Sequence, residues 1–256
     1  MFRLVAAAII VFIGLFSTSH ATTVLITGAN RGIGYEFARI YAERGWGVIA
    51  TYRRQQVPDS LVRLAENHDK VRNERMDVTD HSMIEDLAEV LSGTAIDIII
   101  NNAGISGGGS RTQRFGNLDY GPFRSVMETN VSGPLKITEA FLDHVKASEQ
   151  KKIITVTSSQ GSIGSVNRPG LYYYRSSKSA VNMIMANIAK QLKAQGVIIG
   201  LVAPGATDTD FMAEVRGRIP LGDAGERTAA MIKIIDNMTM DQAGIPIEYD
   251  NTVIPW

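Results

Sequence analysis

Tyr174 and Lys178, in the run Tyr174-Arg175-Ser176-Ser177-Lys178, are the residues whose types and spacing speak most directly of chemistry. On a helix, positions i and i+4 share a face, so a phenol and an ammonium would stand side by side. A free tyrosine has a pKa of about 10, and an adjacent cation favours its phenolate. So tuned, it can act as a general acid toward a carbonyl oxygen or a base toward an alcohol. Tyr172 and Tyr173 have no lysine four residues on, which singles out Tyr174. Taken alone the pair is an ordinary exposed Tyr and Lys, and other residues must join it. Thr157-Ser158-Ser159 closes a strand-like run and can offer a hydroxyl to the same oxygen. Asn130, within Thr129-Asn130-Val131-Ser132-Gly133, falls in a helical stretch where a surface asparagine is unremarkable.

A second kind of chemistry needs backbone rather than side chains. Thr27-Gly28-Ala29-Asn30-Arg31-Gly32-Ile33-Gly34 follows an apolar run and opens a helical pattern. Glycines there permit a tight turn and close approach of the chain to a pyrophosphate at the positive end of a helix dipole. The spacing is G-x-x-x-G-x-G rather than the commoner G-x-G-x-x-G. Asn101-Asn102-Ala103-Gly104 ends another apolar run and by itself reads as a polar turn.

Composition removes several alternatives. The 256 residues carry 26 Lys+Arg, 26 Asp+Glu, no Cys and 4 His, of which none has metal-ligand spacing. Disulfides, thiolate nucleophiles and cysteine-ligated metals are excluded, and no metal site is expected. Interspersed charges that sum to zero argue against a nucleic-acid partner.

The elements that must position these residues alternate in type. Thr23 to Thr27, Val48 to Tyr52, Val71 to Met76, Ile96 to Ile100, Ile153 to Thr157 and Val197 to Ala203 read as strands. Helical patterns lie between them: Tyr35 to Tyr41 ending at Gly45, then roughly 59–66, 80–91 with Asp80 as N-cap, 119–129, 131–148 and 172–194. Such alternation predicts an α/β fold, a single doubly wound domain around a central parallel sheet of about seven strands, with its site beyond the carboxyl ends of the strands. Residues 22–256 form that domain. Residues 1–21 read differently: Arg3, an apolar run from Leu4 to Phe16, then Ser19 and Ala21 at the positions of a small-x-small cleavage site. This is the layout of a signal peptide, with a surface anchor or an unused start codon as the alternatives, and it is too short for a stable membrane span.

Together these residues resemble the short-chain dehydrogenase/reductase family from about Thr23 to the end of the chain. The resemblance implies a Rossmann fold and cofactor glycines at Gly28, Gly32 and Gly34, with Asn30, Arg31 and Ile33 in the same loop. It implies Asp77 and Val78 at the adenine, and Asn102, Ala103 and Gly104 beside the adenosine ribose. Pro204, Gly205, Thr207 and Thr209, after the sixth strand, match the segment that holds the nicotinamide carboxamide. Asn130, Ser159, Tyr174 and Lys178 match the catalytic tetrad, Ser159 being chosen as the second of the pair, with Ser158 as the fallback. In that scheme Tyr174 gives a proton to the substrate oxygen, Ser159 bonds that oxygen, Lys178 holds the nicotinamide ribose and depresses the tyrosine pKa, and Asn130 anchors a water chain.

Cofactor choice rests on the end of the second strand, where an NAD site offers a carboxylate and a 2′-phosphate needs positive charge. Ala50-Thr51-Tyr52-Arg53-Arg54 has no acid, and Arg31 sits in the glycine loop. NADP is therefore expected, with NAD as the alternative. NADP use points to the cytoplasm and the signal-like start to export, and the two readings conflict. The ending Ile247 to Trp256 and the run Ser159 to Ser165 are similar to the C-factor and sniffer-type carbonyl reductases, although Asp250-Asn251 and Ala206 depart from that branch's pattern. The implied function is NADPH-dependent reduction of an aldehyde or ketone; the alternative is a non-enzymatic dinucleotide-binding sensor on the same fold. The expected partner is a small carbonyl or alcohol substrate, and homo-oligomerisation is left open. Gly107-Gly108-Gly109 and the apolar residues Phe211-Met212 to Pro220-Leu221 are expected at the pocket rim. Met183 and Met185 are expected in packing.

Overall fold

Short β-branched runs, each stopped by a polar or glycine turn, become the strands of one parallel sheet. The computed structural model describes residues 22–108 and 113–256. In chain order it contains β1 (Thr23–Ile26), α1 (Gly32–Glu43), β2 (Gly47–Tyr52), α2 (Asp59–Asn67), β3 (Val71–Arg75), α3 (His81–Val90) and β4 (Ile98–Asn101). A small hairpin, β5 (Gln113–Arg114) and β6 (Asn117–Leu118), precedes α4 (Gly121–Met127), α5 (Gly133–Ala140) and α6 (Leu142–Lys146). The second half adds β7 (Lys152–Val156), α7 (Tyr172–Leu192), β8 (Ile198–Ala203), α8 (Ala224–Asn237) and β9 (Pro246–Glu248). The signal-like segment 1–21 and Gly109 lie outside the described residues.

The seven-stranded sheet runs β3-β2-β1-β4-β7-β8-β9, every neighbour parallel. Strand order reverses between β1 and β4, and that crevice is where a doubly wound sheet receives a ligand. Alternation along each strand divides the core. Val24, Ile26, Ile98 and Ile154 face Phe37, Tyr41, Met231 and Ile235 of α1 and α8. Leu25, Ile99, Ile153 and Leu201 face Ile84, Ile137, Val181 and Met185 of α3, α5 and α7. Burying each such side chain is worth roughly 1.5–3 kcal/mol, so the two layers fix the strand ends relative to one another.

Three sequence expectations are corrected. The stretch read as helices over 119–129 and 131–148 is instead α4, a π-helical turn at Glu128–Ser132, α5 and α6. Pro134 explains the turn: it has no N–H to return to the carbonyl of Asn130 four residues earlier, so the α ladder is interrupted there. Phe141, at φ −100 and ψ 8, separates α5 from α6. The strand read at Ile96 to Ile100 begins at Ile98, because the Ile96 amide is spent on the His144 carbonyl at 3.1 Å. Met183 is exposed, whereas Met185 is buried in the core as expected. Asp80 does cap α3, accepting from the amides of Ser82 and Met83. Among the described residues no helix is long and apolar enough to cross a membrane.

Candidate active site

The crevice between β1 and β4 is closed at its base by a cross-tie. The Thr27 hydroxyl oxygen accepts from the amides of Asn102 and Ala103, each at 3.0 Å, and the Asn102 side-chain amide donates to the carbonyls of Thr27 at 2.9 Å and Gly28 at 3.3 Å. Threonine and asparagine here join the ends of two strands that the ladder no longer holds. Above the tie, the loop 28–34 leads into α1. A Cβ on Gly34 would collide with the Gly28 carbonyl and stand 2.5 Å from the Asn102 amide nitrogen. Gly32 has φ +52, which a residue with a Cβ adopts at a cost. Arg31, the N-cap of α1, makes no side-chain cap bond, so its side chain leaves the first-turn amides uncapped. A cradle of this shape fits a pyrophosphate on a helix N-terminus.

The residues expected to line the cofactor have the following settings. Asn30 receives the Ser60 hydroxyl on its carbonyl at 2.8 Å, and Ile33 packs on the core. Asp77 follows β3, its carboxylate accepting from the amide and hydroxyl of Thr79 at 3.0 and 2.8 Å. Arg53 extends over it, Nε 4.0 Å from Oδ2. Val78 is buried against the start of α5, where a Cβ on Gly133 would lie 2.8 Å from the Val78 carbonyl. Thr207 is buried and donates to the Pro204 carbonyl at 3.1 Å. The methyl of Thr209 sits 3.2 Å from the Cβ position of Gly32, and Arg31 reaches Asp210 at 3.3 Å.

The other wall is α7. Tyr174 is half-buried, and the Ser158 hydroxyl is hydrogen-bonded to its phenol. Ser158, rather than the expected Ser159, is thus the serine that meets the phenol. The reason is local: Ser158 is still extended, at φ −158 and ψ 146, at the end of β7, whereas Ser159 opens the 3-10 turn Ser159–Gly161. Lys178 is buried, with Nζ 5.8 Å from the Tyr174 ring centre and donating to the Val156 carbonyl at 2.9 Å. Asn130, in the π-turn, is buried too. Its side chain accepts from the Ile105 amide and donates to the Ile105 carbonyl, both at 2.9 Å, and donates to the Ser177 hydroxyl at 3.0 Å. Asn130 and Lys178 both approach Gly104, where a Cβ would lie 3.3 Å from Asn130 Oδ1 and 3.8 Å from Lys178 Nζ.

Burial dominates the electrostatics. Loss of water pushes the Tyr174 phenol above its ordinary value, and the Ser158 hydrogen bond opposes that rise. Burial pulls the Lys178 ammonium down to about 8. The expectation that Lys178 depresses the tyrosine is not met: both charged forms are desolvated, and the ammonium donates to the Val156 carbonyl. At neutral pH the pair is a neutral phenol beside a cation, the state needed to give a proton away. Sequence reasoning did not single out Phe211 within the rim segment. Its ring lies 5.3 Å from that of Tyr174, and the apolar residue two places beyond Thr209 was the available signal.

Known proteins match most of the described chain. Residues 22–219 match the family described as short chain dehydrogenase. A 1-hydroxy-2-glutathionyl-2-methyl-3-butene dehydrogenase of Rhodococcus sp. is 32% identical over 237 residues, 92% of this chain and 100% of that protein. The NADPH-bound carbonyl reductase from chicken fatty liver superposes with a TM-score of 0.81 at 28% identity, over 93% of this chain and 100% of that one. The carbonyl reductase Sniffer of D. melanogaster gives 0.82 at 26% identity, again over 93% and 100%. On this agreement of sequence, fold and crevice, the chain belongs to the short-chain dehydrogenase/reductase family of oxidoreductases and resembles its carbonyl reductase branch.

Proposed function

We propose that the protein reduces an aldehyde or ketone to an alcohol with NADPH, and that Tyr174, Ser158, Lys178 and Asn130 carry the reaction. The observation that carries this reading is the Tyr174 phenol, hydrogen-bonded by Ser158 and set beside the buried Lys178. A structural tyrosine has no use for such a setting.

The dinucleotide, when bound, supplies the hydride. Its pyrophosphate would be held by the amides opening α1, with Gly34 leaving room, and its adenine end by Asp77 and Val78. Thr207, Thr209 and the loop from Pro204 would hold the carboxamide end, and Lys178 the nearby ribose. The 2′-phosphate distinguishes NADP from NAD. Tyr52 at the end of β2 is followed by Arg53 rather than an acid, and Arg53 and Arg31 are both more than two-thirds exposed in side chain, free to turn toward an anion. Arg31 must leave Asp210, an exposed pair worth about 0–1 kcal/mol, to gain a charge-assisted bond worth about 1.5–3 kcal/mol.

The chain's own residues then act on the substrate oxygen. Tyr174 stands protonated at neutral pH and donates its proton from Oη as negative charge develops on that oxygen. Ser158 donates a hydrogen bond to the same oxygen and steadies the phenol before transfer. Lys178, charged below about pH 8, stabilises the phenolate left behind. Asn130 keeps the loop after β4 against α7 and so fixes the distance between the cradle and the phenol.

An NADPH-oxidation screen over aldehydes and ketones tests the reading. Turnover of several apolar carbonyls, weaker with NADH, is expected. Tight NADPH binding with no turnover across the panel would point to a dinucleotide-binding sensor instead.

A further inference from the structure

One cluster beside the cleft has no part in that chemistry. The Arg227 guanidinium, on the first turn of α8, lies over the Tyr249 ring with Cζ 3.3 Å from the ring centre. Such contact is far closer than the usual reach of a cation over an aromatic face, about 6 Å. Each partner of the stack also presses on a glycine. Arg227 Nε lies against Gly222 where a Cβ would be, and Tyr249 Cε1 is 2.9 Å from the Cβ position of Gly205.

These two glycines belong to one small backbone unit. Gly222 donates to the Ala206 carbonyl at 2.9 Å, and Asp208 donates to the Gly222 carbonyl at 2.8 Å, bridging Thr207 to Gly222. Tyr249 is itself fixed, its amide donating to Ala203 at the end of β8 at 2.8 Å. Glu248 and Asp250 flank the ring and place two carboxylates near the guanidinium. Beyond Ala203 the loop from Pro204 to Thr209 leaves the main sheet, held by the Thr207 hydroxyl on the Pro204 carbonyl, by the bridge to Gly222 and by the contacts of Arg227 and Tyr249 with the two glycines.

We infer that the Arg227–Tyr249 stack is a clamp, in which Arg227 is the positioning residue that keeps the loop 204–209 in the shape that receives the carboxamide end of the dinucleotide. The inference rests on the cofactor reading above. Neither residue is among those assigned to the reaction, so the clamp acts through Gly205 and Gly222. A planar guanidinium can stack and an ammonium cannot, which makes lysine a poor substitute.

The test pairs amide hydrogen exchange of the ligand-free protein with the dissociation constants of NADPH and NADH, in wild type and in Arg227→Ala, Arg227→Lys, Tyr249→Phe and Tyr249→Ala. Arg227→Ala and Tyr249→Ala are expected to speed exchange at Asp208 and Gly222 while leaving Ile154 and Leu201 protected. Both should weaken NADPH and NADH together by about tenfold. Tyr249→Phe, which keeps the ring, should match wild type, and Arg227→Lys should fall between. Wild-type exchange at Asp208 in Arg227→Ala, faster exchange throughout the sheet, or a loosened loop with unchanged affinities would each overturn the clamp. Failure of wild-type protein to bind either dinucleotide would instead take down the cofactor reading, and the clamp's purpose with it.

Discussion

The Tyr174 phenol, the Ser158 hydroxyl that bonds it and the Lys178 amine near its ring are the groups on which the proposed chemistry rests. Their types and order were readable in the sequence, because Tyr174 and Lys178 need only helical spacing to meet. The choice between Ser158 and Ser159 was not, since it depends on which residue keeps the extended backbone of β7 and which begins the 3-10 turn. Ser158→Ala should lower kcat by about 10²-fold or more with little change in NADPH affinity, whereas Ser159→Ala should stay within a few-fold of wild type in both. Equal kinetics for the two variants would restore Ser159 as a candidate. Lys178 makes a pH prediction. Its folded pKa, about 8, lies below the unfolded value of 10.5, so above pH 8 the unfolded chain holds the extra proton and stability rises with pH until about 10.5. Wild type should gain about 2 kcal/mol relative to Lys178→Met between pH 8 and 9.5 in denaturant unfolding. A flat difference over that window would contradict the burial of a titrating ammonium.

At the scale of elements, what the sequence showed well were the apolar strands and the long α7, because burial on both faces leaves an unbroken apolar run. The π-turn was hidden: Pro134 signals a break, but the resulting geometry depends on Asn130 bonding the backbone of Ile105 across the crevice. Removing that brace with Asn130→Ala should cost about 2–4 kcal/mol, since it deletes three hydrogen bonds and leaves the Ile105 amide and carbonyl without their side-chain partner. It should also speed hydrogen exchange in residues 104–106. A stability change below 1 kcal/mol would show that the turn holds the loop without its side chain. α8 carried a signature that went unused: Asp223, then Glu226 three residues on, then Thr228, Met231, Ile232 and Ile235 at helical spacing. β9 had almost none, as a three-residue edge strand opening with a proline.

The whole molecule is a sheet whose two central strands, β1 and β4, carry both the core and the cleft. β1 contributes Val24, Leu25 and Ile26, all fully buried, directly before the glycine loop. A chain lacking residues 1–21 should therefore fold and bind NADPH like the full chain, while removal through Leu25 should abolish folding, as judged by circular dichroism and thermal unfolding. Equal behaviour of the two truncations would contradict the central place of β1. Cofactor preference also belongs to this scale, since Arg31 and Arg53 come from different βα turns and pair with Asp210 and Asp77, residues of two further loops. Replacing both by alanine should weaken NADPH by about 10²-fold and NADH only a few-fold. Wild-type protein that binds both equally would remove the basis for NADP. The most direct test of the account as a whole is single-turnover NADPH oxidation by Tyr174→Phe alongside wild type, with an aldehyde that wild type reduces and NADPH affinity measured on the same samples. Loss of turnover by about 10³-fold or more, with affinity within a few-fold of wild type, is the predicted result; turnover that survives the loss of the phenol would contradict Tyr174 as the proton donor.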